Sequence, residues 1–349
     1  MVQPPENTKE VGERHRFDEA GLLAWWRAHV GPAEALSVRK FRGGQSNPTF
    51  WIGDGERGWV LRKKPPGKLL PSAHAVEREH RVMAALAATD VPVPRVSELC
   101  EDASVIGTPF FVMEHVVGRI LWNVQLPDLA AAERSAVYAE LARVLAALHA
   151  VDVDAVGLGD YGRRGGYVAR QVKRWSDQYD RSKTQEVPAM DRVMEHLREN
   201  VPANDETTLA HGDFRLDNLI FHAAEPRALA LIDWELSTLG HPLADLAYTC
   251  MLYDVQLPKI GGLLGVDFAA TGIPTEEAFV AAYVEASGRA VDPGDWAYFK
   301  AFGLFRLAAI AQGVYKRSLD GNASDPQAAM FGAAVPHLSG IAAKLLGIG

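Results

Sequence analysis

The chain has 349 residues, 48% of them apolar and 23% charged, with a formal net charge of −8. That length accommodates two lobes with their own cores, and the acidic balance argues against nucleic acid as a partner. Two cysteines, Cys100 and Cys250, supply neither a disulfide framework nor a metal-ligand spacing. The N-terminus has no apolar signal stretch and no apolar run approaches the roughly 20 residues that cross a bilayer, so a cytoplasmic protein with no membrane partner is expected.

Residues 1–16 read as a mobile tail. Asp18 is placed to cap a helix through about His29, with Phe17 and Leu22 at the spacing of a hydrophobic staple. Leu36–Phe41, Thr49–Gly53 and Trp59–Lys63 read as strands, the last two joined by an Asp54-Gly55 turn. A helix over about 73–88 ends at VPVP, residues 91–94. Strands near Val96 and over Pro109–Glu114 then complete a five-stranded antiparallel sheet with one helix. In the loop FRGGQSNPTF, Gly43 and Gly44 let backbone approach a ligand while Ser46 and Asn47 add short donors. A plain turn is the competing reading. Val60 and Arg62 share one strand face and Lys63 points to the other.

Beyond Glu114 the pattern is helical, over about 128–150, 165–182, 188–199, 240–253, 275–287, 295–318 and 327–346. One stretch departs from it. LAHGDFRLDNLIF, a short connector and ALALIDWELSTL form a strand–loop–strand unit carrying Asp213, Asn218 and Asp233. Two carboxylates and a carboxamide at one end of a hairpin suit phosphoryl transfer from Mg·ATP. One Asp orients the attacking hydroxyl, and the Asn and second Asp hold metal. A polar hairpin with turn-forming Asp and Asn is the bland alternative.

The spacing H-x-D-x4-N followed by I-D resembles the catalytic loop and metal Asp of protein kinases, and HGD in place of HRD resembles the aminoglycoside-phosphotransferase and choline-kinase branch. GGQSNPTF, VLRKKPPGKLLPSAHAVEREHRV, GYVARQVKRWSDQY, IDWELSTLGHPLADLAY and RLAAIAQGVYKR extend the resemblance from Leu36 onward. They are most similar to kinase domains associated with acyl-CoA dehydrogenases. The resemblance implies an α+β, protein-kinase-like fold of two lobes. A small antiparallel-sheet N-lobe, 17–115, covers the nucleotide, a helical C-lobe, 116–349, carries the catalytic loop and substrate site, and the nucleotide cleft lies between.

The same resemblance implies roles. Arg62 stands where kinases carry a phosphate-pairing Lys, with Lys64 as fallback. Glu79 is its partner by the E-x3-φ-x2-L pattern (φ apolar), leaving Glu77 on a solvated face. Val60 roofs the adenine, and the backbone from Glu114 to Val116 forms the hinge that binds it. Arg215 offsets phosphoryl charge, His211 and Asp245 support the loop, and Asp217 faces solvent. ATP and Mg²⁺ are the implied cofactors. A 4-hydroxyacyl-CoA is the implied acceptor, with a functional link to an acyl-CoA dehydrogenase. An aminoglycoside acceptor and a non-catalytic nucleotide-binding partner of such a dehydrogenase remain as alternatives. Charge favours an anionic acceptor. Residues 161–200 hold nine Lys/Arg against six Asp/Glu, and the helix over 296–317 carries Lys300, Arg306, Lys316 and Arg317 with no acid.

Overall fold

The computed structural model describes residues 2–42, 47–65, 74–257, 261–321 and 328–349. The chain forms two compact units, Met1–Arg119 with Leu219–Leu236, and Ile120–Asn218 with Ser237–Gly349.

In the first unit, β1 (Thr8–Lys9), β2 (Ser37–Phe41), β3 (Thr49–Gly53), β4 (Gly58–Lys63), β5 (Val96–Cys100) and β6 (Phe110–Glu114) form one antiparallel sheet in the order β1-β2-β3-β4-β6-β5. It has six strands where five are expected. Thr8 and Lys9 pair with Phe41 and Lys40, so the segment read as a tail supplies an edge strand. Strand alternation sorts the side chains. Phe50, Ile52, Leu61, Phe110 and Val112 form a core with Leu22, Trp25 and Trp26 of α1 (Glu19–His29). Asp18 caps that helix, accepting the amides of Ala20 and Gly21 at 3.0 and 2.9 Å. Val60 and Arg62 face the other way, Arg62 reaching Glu79 of α2 (Val76–Leu86), whereas the Lys63 ammonium lies 5.8 Å from the Phe17 ring centroid.

The short α3 (Ala103–Ile106) and β7 (Arg119–Ile120) follow, and β8 (Thr208–Ala210) leads into the loop at 211–218. Then β9 (Leu219–Phe221) and β10 (Ala228–Leu231) form a hairpin. The first unit thus takes in 219–236, which the sequence-based lobes put with the helices. Packing is the reason: the Leu231 amide donates to the Pro92 carbonyl at 2.7 Å, and α2 packs on the Trp234–Leu236 turn.

The second unit is mainly helical, with α4 (Ala131–His149), α5 (Tyr167–Ser182), α6 (Pro188–Glu199), α7 (Pro242–Cys250), α8 (Phe268–Thr271), α9 (Glu276–Ser287), α10 (Pro293–Leu319) and α11 (Phe331–Leu345). β11 (Thr238–Gly240) pairs with β8 antiparallel. The long α10 packs against α5, α7 and α11. Its start is fixed by Asp292, which accepts the Gly294 amide at 2.7 Å, and by Pro293 in the first turn, where a missing N–H costs nothing. No helix among the described residues is long and apolar enough to cross a membrane.

Candidate active site

The first unit holds a chain of charges on the Arg62 face of its sheet. Arg62 is only 12% exposed; its Nε meets Glu79 Oε2 at 2.7 Å and its Nη2 meets Asp233 Oδ1 at 2.7 Å. Glu79, 2% exposed, also accepts the Asn47 amide at 2.6 Å, and the His74 ring stands 3.0 Å from Asn47 Oδ1. Burial pushes the Glu79 carboxyl up against the opposing Arg62 charge. Burial likewise works against the Arg62 charge, but Glu79 and then Asp233 more than offset it and its pKa is raised. Asp233 sits at φ 67, in the left-handed region. Its side chain is 39% exposed, and Oδ2 makes no hydrogen bond among the described residues.

The fallback cation Lys64 pairs with Glu77 at 2.9 Å, and the Glu77 side chain stays 38% exposed. Val60 is buried on β4 opposite Met113. At the expected hinge, the amides of Glu114 and His115 donate to the Arg95 and Gly58 carbonyls, whereas that of Val116 makes no hydrogen bond among the described residues. Gly43, Gly44 and Ser46 lie outside the described residues.

The second unit holds the loop after β8. Asp245, buried in the first turn of α7, accepts the His211 amide at 2.6 Å and the Gly212 amide at 2.9 Å. Gly212 has φ 80, which explains why glycine follows this histidine: any other residue would be strained there. The His149 Nε2 lies 3.7 Å from Asp245, and its Nδ1 is 2.8 Å from the Tyr283 hydroxyl. Burial pushes the Asp245 carboxyl up, but His149, His211 and the Gly212 amide outweigh it and hold it below the usual carboxylate range. The loop therefore hangs from a buried anion. Asp213 emerges from it with Oδ1 3.3 Å from Arg215 Nε and Oδ2 3.2 Å from Asn218 Nδ2. The Asn218 amide also donates to the Asp213 carbonyl at 2.8 Å, which leaves Asn218 Oδ1 unbonded among the described residues.

The model of the phosphotransferase enzyme family matches residues 37–302. The chain belongs to that family. It is 48% identical over 306 residues to acyl-CoA dehydrogenase family member 10 of Mus musculus, a match covering 87% of this chain and 28% of that protein. The chain thus spans under a third of that relative. A crystal structure from Ralstonia eutropha JMP134, of a protein provisionally called an aminoglycoside phosphotransferase, is 47% identical with a TM-score of 0.88, covering 95% of this chain and 99% of that one. The aminoglycoside phosphotransferase APH(4)-Ia, in a ternary complex with AMP-PNP and hygromycin B, shares the fold at 17% identity and a TM-score of 0.59, covering 94% of this chain and 99% of that one.

Within this phosphotransferase three expectations need correction. Asp217 is not turned to solvent; it lies 3.2 Å from Arg215 Nη2, with its side chain 11% exposed. Part of the basic surplus in 161–200 is neutralised from outside the segment, as Arg164 pairs with Asp154 at 2.5 Å, while Lys173 with Asp177 and Lys183 with Glu186 and Asp191 are pairs already counted in that balance. On α10, Lys300 is buried between Asp254 at 2.6 Å and Glu276 at 2.7 Å, and Lys316 pairs with Asp320. These cations are not a shared surface for an anion. The sequence reading also passed over Tyr248 and Trp175, although both lie in stretches that carried the family resemblance. The Tyr248 phenol is pushed up to about 12 by burial and then by the Asp213 carboxylate.

Proposed function

We propose that this phosphotransferase transfers the γ-phosphoryl group of ATP to a hydroxyl of a small molecule, with a 4-hydroxyacyl-CoA as acceptor. The observation that carries the reading is the buried Arg62–Glu79 pair with Asp233 held at its edge. A cation fixed by a buried acid, with one more accessible carboxylate in reach, is poised to exchange that carboxylate for phosphate oxygens.

Oxygen donors suit a hard cation, and Asp233 Oδ2 and Asn218 Oδ1 each make no hydrogen bond among the described residues, so both side chains fit as Mg²⁺ ligands. Bound Mg²⁺ would neutralise charge on the phosphates. Asp213 orients the acceptor hydroxyl and takes its proton as the new O–P bond forms and the bond from the γ-phosphorus to the β-bridging oxygen breaks. Arg215, already against Asp213, offsets charge on the transferring group. Val60 covers the adenine and the backbone of Glu114 and Val116 binds its edge. The acceptor assignment is supported by the relative that bears an acyl-CoA dehydrogenase name.

An ATP-consumption screen over 4-hydroxyacyl-CoAs and kanamycin-type aminoglycosides tests this. Turnover is expected on the CoA thioester, falling with added salt as charge attraction is screened, and none on the aminoglycosides. Comparable turnover of an aminoglycoside would replace the acceptor. ATP binding with no turnover of any hydroxyl would favour a nucleotide-binding module.

A further inference from the structure

Of the four cations the sequence places along α10, Arg306 is distinct. It is 7% exposed, and its guanidinium carbon lies 4.7 Å from the Tyr248 ring centroid and 5.3 Å from that of Trp175. Among the described residues it has no carboxylate partner and no hydrogen bond, and its Nε is buried without one. Trp175 Nε1 and Ser176 Oγ, on the facing helix α5, are also buried and unbonded.

A buried unpaired charge is costly, and ring faces return only part of that cost. The Asp213 carboxylate is already shared, meeting Arg215 and Asn218 through its two oxygens. Tyr248 links the two places, since its ring carries Arg306 and the Asp213 carboxylate is near enough to raise its phenol pKa. Trp175 also carries the exposed Arg174, at 5.3 Å, so a second guanidinium continues the basic path outward. Guanidinium suits this position because it stacks on rings and still presents a fork of donors to an oxyanion.

We infer that Arg306, between Trp175 and Tyr248, is the receptor for an anionic oxygen group of the acceptor and so sets the acceptor's position relative to Asp213. This rests on the kinase reading above. The anion is either a carboxylate on the hydroxylated chain or a phosphate of a CoA carrier.

The test uses the full chain saturated with Mg·ADP, so that the nucleotide site is occupied. Coenzyme A, 4-hydroxybutanoate and uncharged pantetheine are titrated calorimetrically into wild type, Arg306→Gln and Arg306→Lys. At least one anion is expected to bind wild type about 10- to 100-fold more tightly than Arg306→Gln, with Arg306→Lys intermediate and pantetheine indifferent. Whichever anion responds identifies its source. Arg306→Met should melt no lower than wild type, because the lone charge is removed; a purely structural arginine would show the reverse. Equal anion affinities in wild type and Arg306→Gln, or no anion binding by wild type, overturn the inference. Because these are binding and melting measurements, they decide it even if no acceptor is phosphorylated, an outcome that would remove the kinase reading alone.

Discussion

Asp233 meets Arg62 at 2.7 Å from a backbone held at φ 67, a conformation that few residues other than glycine adopt and that Asp and Asn tolerate best. Such a conformation costs about 1–2 kcal/mol and aims this carboxylate at one place. Asp233→Asn keeps the backbone and the shape but removes the charge. The variant is expected to fold and to lose Mg²⁺-dependent ATP binding together with turnover. Calorimetric titration decides it, and unchanged Mg·ATP affinity would move the metal ligand elsewhere.

In the proposed mechanism Asp213 acts on the acceptor and not on the nucleotide. Asp213→Asn should therefore bind ATP as wild type does while turnover drops by at least about 10²-fold, the usual contribution of a positioned acid–base group. Loss of ATP binding in this variant would mean that the roles of Asp213 and Asp233 are exchanged.

Lys300 answers a different question from Arg306, two turns along the same helix. Its ammonium is 6% exposed and satisfies both Asp254 and Glu276. Lys300→Met leaves two acids facing each other and should lower stability by about 3–5 kcal/mol in urea unfolding, with the acceptor KM unchanged. A raised acceptor KM without loss of stability would return Lys300 to the substrate site.

Two buried histidines make stability depend on pH. His241 caps α7, accepting the Leu243 amide at Nδ1 at 3.2 Å while stacking 4.6 Å from the Phe299 ring. Burial lowers its pKa from 6.5 to about 4, and burial lowers that of His149 as well. The folded values lie below the unfolded one, so the stabilisation is complete above pH about 6.5 and is lost as pH falls toward about 4. The melting temperature should drop across that window. His241→Asn, which retains a capping side chain, should flatten the drop; an unaltered slope would assign it to other groups.

The strand faces were legible because alternation is local: Val60 and Arg62 against Leu61 and Lys63 follows from the period of two. The helix at 188–199 was equally plain, since Pro188 opens it and its apolar residues recur at helical spacing. Thr8–Lys9 carried no such signal, because a two-residue edge strand is specified by its neighbour and not by its own side chains. The cations of α10 failed for a similar reason. Sequence gives Lys300 and Arg306 one sign on one helix, but their difference lies in Glu276, Asp254 and Trp175, which only tertiary packing brings near. The Arg62–Glu79 contact and the Asp245 bonds to the 211–212 amides involve residues that the family resemblance had singled out.

The first unit is assembled from two stretches of chain, Met1–Arg119 and Leu219–Leu236. Ribosomes deliver these in order, at roughly 5–20 residues per second, so roughly 5–20 seconds of synthesis separate them. During that interval the sheet has emerged with Arg62 and Glu79, while Asp233 and the turn that packs on α2 do not yet exist. The nascent sheet must wait, incomplete along one side of α2, until nearly a hundred residues of the other unit have followed it. A slow-translating stretch placed just before codon 219 would prolong that exposed state, and one placed after codon 236 would not.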